Sequence, residues 1–180
     1  ITGDPIPSMV RSSVKSVFNF DSVGLMNIIS DMNQDQFADK PVIYGGAINQ
    51  GRVNFKVELA RVKKKMEAGA TFFMTQPVFS DEDISRLRQI KEETGARILC
   101  GIMPFVSLRN ATFMKNEMTG INVTDEILAR YSADMTKEEG EETGIQIAKE
   151  IITKTSDFVD GYYFSFPFNR VHMLEKILNA

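Results

Sequence analysis

The chain has 180 residues, of which 43% are hydrophobic and 25% are charged, and its formal net charge is −3. This size and balance are typical of a single globular domain and argue against intrinsic disorder. The slightly acidic net charge gives no indication of nucleic-acid binding, and the apolar runs are too short to cross a bilayer.

The chain contains one cysteine, Cys100, and one histidine, His172. A single cysteine cannot form a disulfide within the chain, which favours a reducing compartment. Because the sequence also begins without a secretory leader, we expect a cytoplasmic protein. One cysteine and one histidine are too few for a zinc cluster of the usual kind, so no metal is expected. Cys100 is predicted to lie in the core, and His172 at the surface or a helix end.

The first five residues, ITGDP, resemble the end of a strand already in progress. A native polypeptide rarely starts inside an element, so we expect further sequence upstream. Asp4 follows this strand stub, and an aspartate in Gly-Asp-Pro is as readily a turn residue as a site residue. A helix over residues 21–32 is predicted next, with Asp21 as its N-cap.

Four apolar segments rich in β-branched and aromatic residues are predicted as strands, at 41–47, 70–76, 97–104 and 158–166. They are continuous apolar runs rather than alternating patterns, which is typical of strands buried on both faces.

Helical patterns alternate with these strands. Ser80 and Asp83 have the spacing of a capping box, which predicts the start of one helix. Ser107 is predicted to cap another. The remaining helical patterns cover residues 54–68, 143–155 and 171–178, and the irregular segment 119–136 is predicted as a long loop with a short helix over 125–131.

Strands that alternate with helices indicate a parallel sheet, either open and doubly wound or closed into a barrel. No Gly-x-Gly-x-x-Gly motif follows any strand, which removes the main argument for a dinucleotide-binding open sheet. Gly45, Gly46 and Gly101 fall inside predicted strands, where close packing in a barrel tolerates them. We therefore predict an α/β fold, a (β/α)8 TIM barrel, with residues 1–180 forming a C-terminal fragment of about five βα units.

Polar residues follow several of the predicted strands. Active sites of parallel β/α folds form at the carboxyl ends of strands, so Asp4, Asn49, Gln76 and Arg170 are candidate site residues. Asn49 is also a possible cap for the following helix. Gln76 is harder to explain structurally, because a buried amide needs hydrogen-bond partners.

The helix over 54–68 contains three consecutive lysines, 63–65. Glu58 and Lys65 lie on one side of it, two turns apart, where they suit contact with a ribose hydroxyl and a phosphate. The spacing alone nevertheless favours a solvated helix face.

The strand ends taken together resemble methylenetetrahydrofolate reductases. The similarity lies in ITGDP at 1–5, GGAIN at 45–49, EAGA at 67–70, FMTQPVF at 73–79, GIMP at 101–104 and DGYYFSFPFNR at 160–170. It follows the order and spacing of the family along the whole chain. The sequences of these segments are most similar to the bacterial branch in which the reductase barrel follows a homocysteine S-methyltransferase domain.

This resemblance implies an eight-stranded β/α barrel that binds FAD. NADH or NADPH would reduce the flavin, and the reduced flavin would convert 5,10-methylenetetrahydrofolate to 5-methyltetrahydrofolate in a ping-pong sequence. It further implies a tetrahydrofolate substrate, a role in methionine biosynthesis, possible assembly into a homo-oligomer and a possible fused methyltransferase domain.

The resemblance also assigns roles to individual residues. Asp4 would tune the flavin and polarise the folate, and Gln76 would contact both substrates. Asn49, Glu58 and Lys65 would contact the ribose and phosphates of FAD, although other branches have histidine at the position of Asn49.

Two further positions match the substrate site. Leu108 takes the place where some relatives stack a phenylalanine on the substrate, and Arg170 is a further substrate contact. The family's general acid is a glutamate on the first barrel strand, which is not among these 180 residues, so we expect this chain alone to be inactive.

Two other functions remain open from the sequence. One is a pterin-binding methyltransferase barrel, which transfers a folate methyl group without flavin. The other is a folate-binding module without catalytic activity.

Overall fold

The structure is a computed structural model that describes residues 20–118 and 120–179. Asp4 and the predicted strand stub at residues 1–2 lie outside these residues. Four parallel strands form one sheet in the order β1-β2-β3-β4. They are β1 (Gly46–Ile48), β2 (Phe73–Pro77), β3 (Ile98–Ile102) and β4 (Gly161–Phe164).

Helices connect the strands and continue beyond the last one. They are α1 (Ser22–Gln34), α2 (Phe55–Glu67), α3 (Asp81–Thr94), α4 (Leu108–Glu117), α5 (Asp125–Leu128), α6 (Lys137–Thr155) and α7 (His172–Leu178), with a short 3₁₀ turn at Pro167–Asn169.

Local capping chemistry sets several helix starts, as predicted from the sequence. Asp21 accepts a hydrogen bond from the Gly24 N–H, which confirms it as the N-cap of α1. Ser80 caps α3 by accepting from the Asp83 N–H at 3.0 Å, and Ser107 caps α4. These side chains satisfy backbone donors that have no partner within the first helical turn.

The two faces of the sheet are covered unequally within the described residues. Phe73 and Thr75 of β2 are buried, whereas Met74 between them is 40% exposed. The neighbour of Met74 on β1, Ala47, is also exposed. The expectation that the strands are buried on both faces is therefore wrong for β1 and β2, whereas the successive residues Cys100 and Gly101 of β3 are both buried.

The strand order distinguishes the two architectures considered from the sequence. Sequential neighbours joined by right-handed crossovers place all the connecting helices on the same face. A doubly wound sheet instead reverses its order at a switch point and carries helices on both faces. No reversal occurs in the described sheet, so the α/β fold with its parallel sheet is consistent with the wall of a TIM-barrel-like structure.

The first predicted strand is displaced. Residues 41–45 are not in a strand, because both backbone groups of Val42 bond to the side chain of Asn33. Pro41 also has no N–H to donate. The ladder begins only at Gly46, whose N–H donates to Phe72 O at 2.9 Å.

The helix predicted over 143–155 begins earlier, at Lys137. Thr136 and Glu139 form a reciprocal capping box there, which the apolar pattern did not reveal. Gly144 lets this helix approach the chain after β3, since a Cβ at this position would lie 2.0 Å from Phe105 O. Helix α6 is thereby fixed against the carboxyl end of the sheet.

Cys100 is fully buried in β3, as expected for a core residue, and burial raises the pKa of its thiol to about 12. The described residues include no helix able to span a membrane. They also include no cluster of three His, Cys, Asp or Glu side chains suited to a metal ion.

Candidate functional site

Asn49 and Gln76 lie side by side at the carboxyl edge of the sheet. Ile48 pairs with Thr75, so the next residue on each strand occupies the same step of the ladder. A Cβ placed on Gly120 would lie 3.8 Å from Asn49 Nδ2 and 4.0 Å from Gln76 Cδ. The loop at Gly120 therefore borders both amides, and the structure brings these two predicted site residues together.

Gln50 holds the ends of β1 and β2 together. Its Nε2 donates to Gln76 O at 2.9 Å, and its Oε1 accepts from the Gln76 N–H at 3.1 Å. Its side chain is buried and continues the strand pairing after β1 has ended. Gln50 was not among the predicted site residues, because a polar residue two positions beyond a strand gives no signal for such a contact.

Arg86 fixes the loop that follows β1. Its Nη1 donates to Gln50 O at 2.8 Å and to Arg52 O at 3.2 Å. Its guanidinium also pairs with Glu82 one turn earlier and lies over the Phe55 ring. The backbone that carries Asn49 is therefore held from α3 as well as from its own strand.

Glu58 is 3% exposed, so the solvated-face interpretation of this residue is wrong. Its Oε1 accepts from the Asn49 N–H at 2.9 Å, and its Oε2 lies 3.4 Å from Arg52 Nη1. Asn54 caps α2, so the suggestion that Asn49 is the cap is also wrong. The Glu58 carboxylate instead reaches back to the end of β1.

Lys65 is 5% exposed, which corrects the solvated interpretation here too. Its Nζ donates to Ala47 O at 2.5 Å. Burial lowers the pKa of Lys65, and the negative charge of Glu58 partly offsets this effect. Only Lys63 and Lys64 of the lysine run face solvent. Glu58 and Lys65 therefore place opposite charges beside the carboxyl end of β1.

The strands β2, β3 and β4 are tied together around Thr75. Its Oγ1 accepts from the Gly101 N–H at 2.9 Å, and the Tyr163 hydroxyl donates to its carbonyl at 2.5 Å. Gly101 leaves room for this tyrosine, since a Cβ there would lie 2.6 Å from the hydroxyl oxygen. This confirms the expectation of close packing at Gly101.

Leu108 begins α4, beyond the carboxyl end of β3. It lines a groove of about 560 Å³ together with Phe113 and Met135. The groove is partly apolar and opens at the surface, and neither Asn49 nor Gln76 lines it. The structure thus places Leu108 at the same end of the sheet, on a neighbouring element.

Arg170 follows β4 and is held in an ion-pair cluster. Its Nε donates to Glu141 Oε1 at 2.5 Å, while His172 Nε2 lies 2.9 Å from Glu141 Oε2. The hydrogen bond from His172 and the pairing with Arg170 lower the pKa of Glu141. Glu141 was not among the predicted site residues, since it lies 29 residues before Arg170.

The chain before Arg170 has an unusual backbone. Phe168 and Asn169 have φ values of 54° and 60°, in the left-handed region that favours glycine. Two such residues in succession cost free energy and occur mainly where surrounding structure holds them. Arg170 lies over the Phe168 ring at 5.3 Å, and this cation–π contact helps to fix the turn.

We expect Gln50→Ala to lower the free energy of unfolding by about 1–3 kcal/mol, because the Gln76 N–H and carbonyl lose their partners. Denaturant unfolding of the variant and the wild type measures this loss. The matched control is Gln89→Ala, which removes an exposed amide on α3 that bonds only to Glu93 at the surface. Equal losses for the two variants would contradict a bridging role for Gln50.

We expect Glu141→Gln to be less stable than the wild type at pH 7, with a difference that shrinks on acidification. A lowered pKa means that ionised Glu141 stabilises the fold above its usual pKa of 4.5. That contribution is lost as the pH falls through the lowered pKa. Unfolding measured between pH 3 and pH 7 tests this expectation, with Glu142→Gln as the exposed control. A stability difference that does not depend on pH would refute the assignment.

Comparison with known proteins places this geometry in context. A solved structure from Clostridium thermocellum, described as an uncharacterized protein that binds two copies of 5-methyl-5,6,7,8-tetrahydrofolic acid, has a similar fold with a TM-score of 0.59. The two sequences are 16% identical, so the likeness is one of fold alone. The match covers 89% of this chain and 57% of that one, so this chain spans little more than half of its neighbour's length.

No curated protein sequence matches the chain. Residues 1–179, in contrast, match the family described as methylenetetrahydrofolate reductase. This match covers both amides at the carboxyl edge, the buried charges of α2 and the turn before Arg170. The chain belongs to the methylenetetrahydrofolate reductase family.

Proposed function

We propose that this chain is part of a flavin-dependent reductase that converts 5,10-methylenetetrahydrofolate to 5-methyltetrahydrofolate with NADH or NADPH as reductant. The observation that supports it most is the juxtaposition of Asn49 and Gln76 at the carboxyl edge of the sheet, next to the buried charges of Glu58 and Lys65. Family membership supplies the reaction class.

The residues at the end of β1 fit the polar part of FAD. Lys65 has three N–H donors and uses one on Ala47 O, so two are available for phosphate oxygens. The Oε2 of Glu58 has only a long contact with Arg52, which leaves it able to accept from a ribose hydroxyl. Asn49 adds an amide beside them. We therefore assign these three residues to FAD binding.

Gln76 and Asp4 are the proposed catalytic residues. A bound flavin would supply hydride transfer between the nicotinamide and the folate. The Gln76 amide both donates and accepts, so it can orient two different substrates that bind in turn. Asp4 is assigned to the flavin and the pterin, where its negative charge would tune the cofactor and polarise the folate.

Leu108 and Arg170 are the proposed substrate contacts. The apolar groove at Leu108 suits the aromatic middle of a folate. The Arg170 guanidinium suits a carboxylate, which it can bind in a bidentate manner. Neighbouring parallel strands lie about 4.8 Å apart, so β1 and β4 are separated by roughly 14 Å along this edge. That span is comparable to the length of a folate.

We further propose that residues 1–180 form the C-terminal part of one (β/α)8 barrel. The remaining strands and the glutamate general acid would come from upstream sequence, and this part alone would not turn over. A fused homocysteine S-methyltransferase domain, a homo-oligomeric state and a cytoplasmic location complete the proposal, by resemblance to the bacterial branch of the family.

A second candidate is a flavin-free methyltransferase that binds a methylated folate. The structure from Clostridium thermocellum, which binds methyltetrahydrofolate, favours keeping this alternative. The two functions differ in one measurable property, because a reductase purified with FAD shows the yellow absorbance of a flavin and a flavin-free methyltransferase does not.

We expect the full-length protein to oxidise NADH or NADPH when supplied with FAD and to pass the electrons to methylenetetrahydrofolate. Asp4→Asn should slow the folate half-reaction by about tenfold or more, because a preorganised charge at the reacting centre is removed. Stopped-flow measurement of the pre-reduced flavin reports this step by itself.

The control for this experiment is Asp35→Asn, which changes an exposed aspartate at the end of α1. It should leave both half-reactions unchanged. An unaltered folate step in Asp4→Asn would refute the role of Asp4. A protein that binds no flavin and oxidises no NAD(P)H would contradict the proposed function as a whole.

A further inference from the structure

Two buried side-chain oxygens lack a hydrogen-bond donor among the described residues. They are Asn49 Oδ1 and Asp83 Oδ2. Asp83 is 1% exposed, so water does not reach it from the surface. A buried acceptor without a donor costs about 1–3 kcal/mol, and native structures keep such groups rarely. A donor for these two oxygens is therefore expected in the folded protein.

The two side chains flank the same glycine. A Cβ on Gly51 would lie 3.6 Å from Asn49 Oδ1 and 3.9 Å from Asp83 Oδ1. The other end of the Asn49 amide, Nδ2, lies near Gly120 on the side of Gln76. The Asn49 amide therefore has its oxygen on the Asp83 side and its nitrogen on the side of the proposed site.

Asp83 occupies the third position of α3, where a capping box would turn its carboxylate back toward the Ser80 N–H. Only half of that box is formed, since Ser80 Oγ accepts from the Asp83 N–H. Burial raises the pKa of Asp83, and the Ser80 hydroxyl and the Phe79 backbone offset the rise only in part. The carboxyl group thus lies in surroundings that favour its neutral form.

The charged and titratable groups around Asp83 do not supply a salt bridge. On its own helix, Arg86 directs its guanidinium to Glu82 and to two backbone carbonyls. Across the loop, the guanidinium of Arg52 lies beside Glu58 of α2. From β3, Cys100 contributes a buried thiol that is neutral at ordinary pH. No described cation is paired with the Asp83 carboxyl.

We propose that Asp83 is a positioning residue for Asn49, and that its protonated carboxyl donates to Asn49 Oδ1, directly or through one buried water. This hydrogen bond would keep the Asn49 Nδ2 donor turned toward Gln76 and the ligand. The proposal rests on the proposed function only in taking FAD as that ligand. The hydrogen bond itself is independent of it.

The arrangement has a definite response to pH. When Asp83 loses its proton, its carboxylate becomes an acceptor only, and the Asn49 amide gains by turning its nitrogen toward it. The site then faces an amide oxygen in place of an N–H donor. Phosphate and ribose oxygens of FAD need donors, so FAD binding should weaken as the pH rises through the titration of Asp83.

The first test follows protonation directly by NMR, without any ligand. Protein labelled with ¹³C and ¹⁵N is titrated from pH 3 to pH 9, and the spectra of Asp83→Asn and Asn49→Ala assign the signals. We expect the Asp83 carboxyl carbon to titrate above the ordinary range of an aspartate, and the Asn49 side-chain amide signals to move in the same titration. An Asp83 that titrates in the ordinary aspartate range, or Asn49 signals that do not follow its titration, would overturn the proposal.

The second test compares two variants by FAD titration, followed through quenching of flavin fluorescence in the full-length protein. Asp83→Asn retains a donor, so its affinity for FAD should stay within about twofold of the wild type and lose its pH dependence. Asp83→Ala removes the donor and should weaken FAD binding by roughly fivefold or more.

Asp81→Asn is the matched control, since Asp81 is exposed on the same helix and pairs with Lys154. If Asp83→Asn weakens FAD binding as much as Asp83→Ala does, the ionised carboxylate is the form that is needed. That result would overturn the proposal. Wild-type protein that binds no FAD at any pH would refute the proposed function, and the NMR titration would then decide the role of Asp83 alone.

Discussion

The sequential, parallel order of the four strands is the constraint on which the rest of the structure depends. Each strand runs in the same direction, so every carboxyl end lies on one edge, and the helix that follows each strand starts there. Side chains that are far apart in sequence, such as Asn49, Leu108 and Arg170, are thereby brought to a single edge. The strand order therefore determines which side chains lie at the site, and their chemistry determines what they can bind.

The groups at this edge have structural partners and retain hydrogen-bonding capacity. Glu58 holds the backbone of Asn49, and Lys65 holds Ala47, so both charges stabilise the end of β1. Neither group uses all of its donors or acceptors in doing so. A ligand at this edge would therefore meet charges already held in place, which reduces the entropy that binding must overcome.

The turn after β4 is likewise held in place by its structural partners. Phe168 and Asn169 adopt left-handed backbone angles, and Arg170 is held by Glu141 and by the Phe168 ring. Strain of this kind persists only where surrounding contacts enforce it. The ion pair and the cation–π contact supply that enforcement and fix the direction of a guanidinium at the edge of the sheet.

Features governed by neighbours in the sequence were predictable, and those governed by distant partners were not. Asp21, Ser80 and Ser107 cap helices as their local patterns indicated. Residues 41–45 failed as a strand because a side chain on α1, Asn33, takes the backbone bonds of Val42.

The same limit explains the candidate site. The bridging role of Gln50 depends on a partner 26 residues away, and the pairing of Glu141 on one 29 residues away. Helical spacing alone placed Glu58 and Lys65 in solvent, and only the family resemblance pointed to the site. The periodicity of apolar residues indicates which face of a helix is apolar. Whether a charged side chain on that helix is buried depends instead on the strand end against which it packs.

The central claim is that FAD binds across the carboxyl edge of this sheet, and backbone amide shifts of ¹⁵N-labelled protein titrated with FAD test it most directly. We expect the largest shifts at Asn49, Gln76 and Gly120, with little change at Gly46, Ile98 and Gly161 at the opposite ends of the strands. The largest shifts at those opposite ends, or no shifts at saturating FAD, would contradict it.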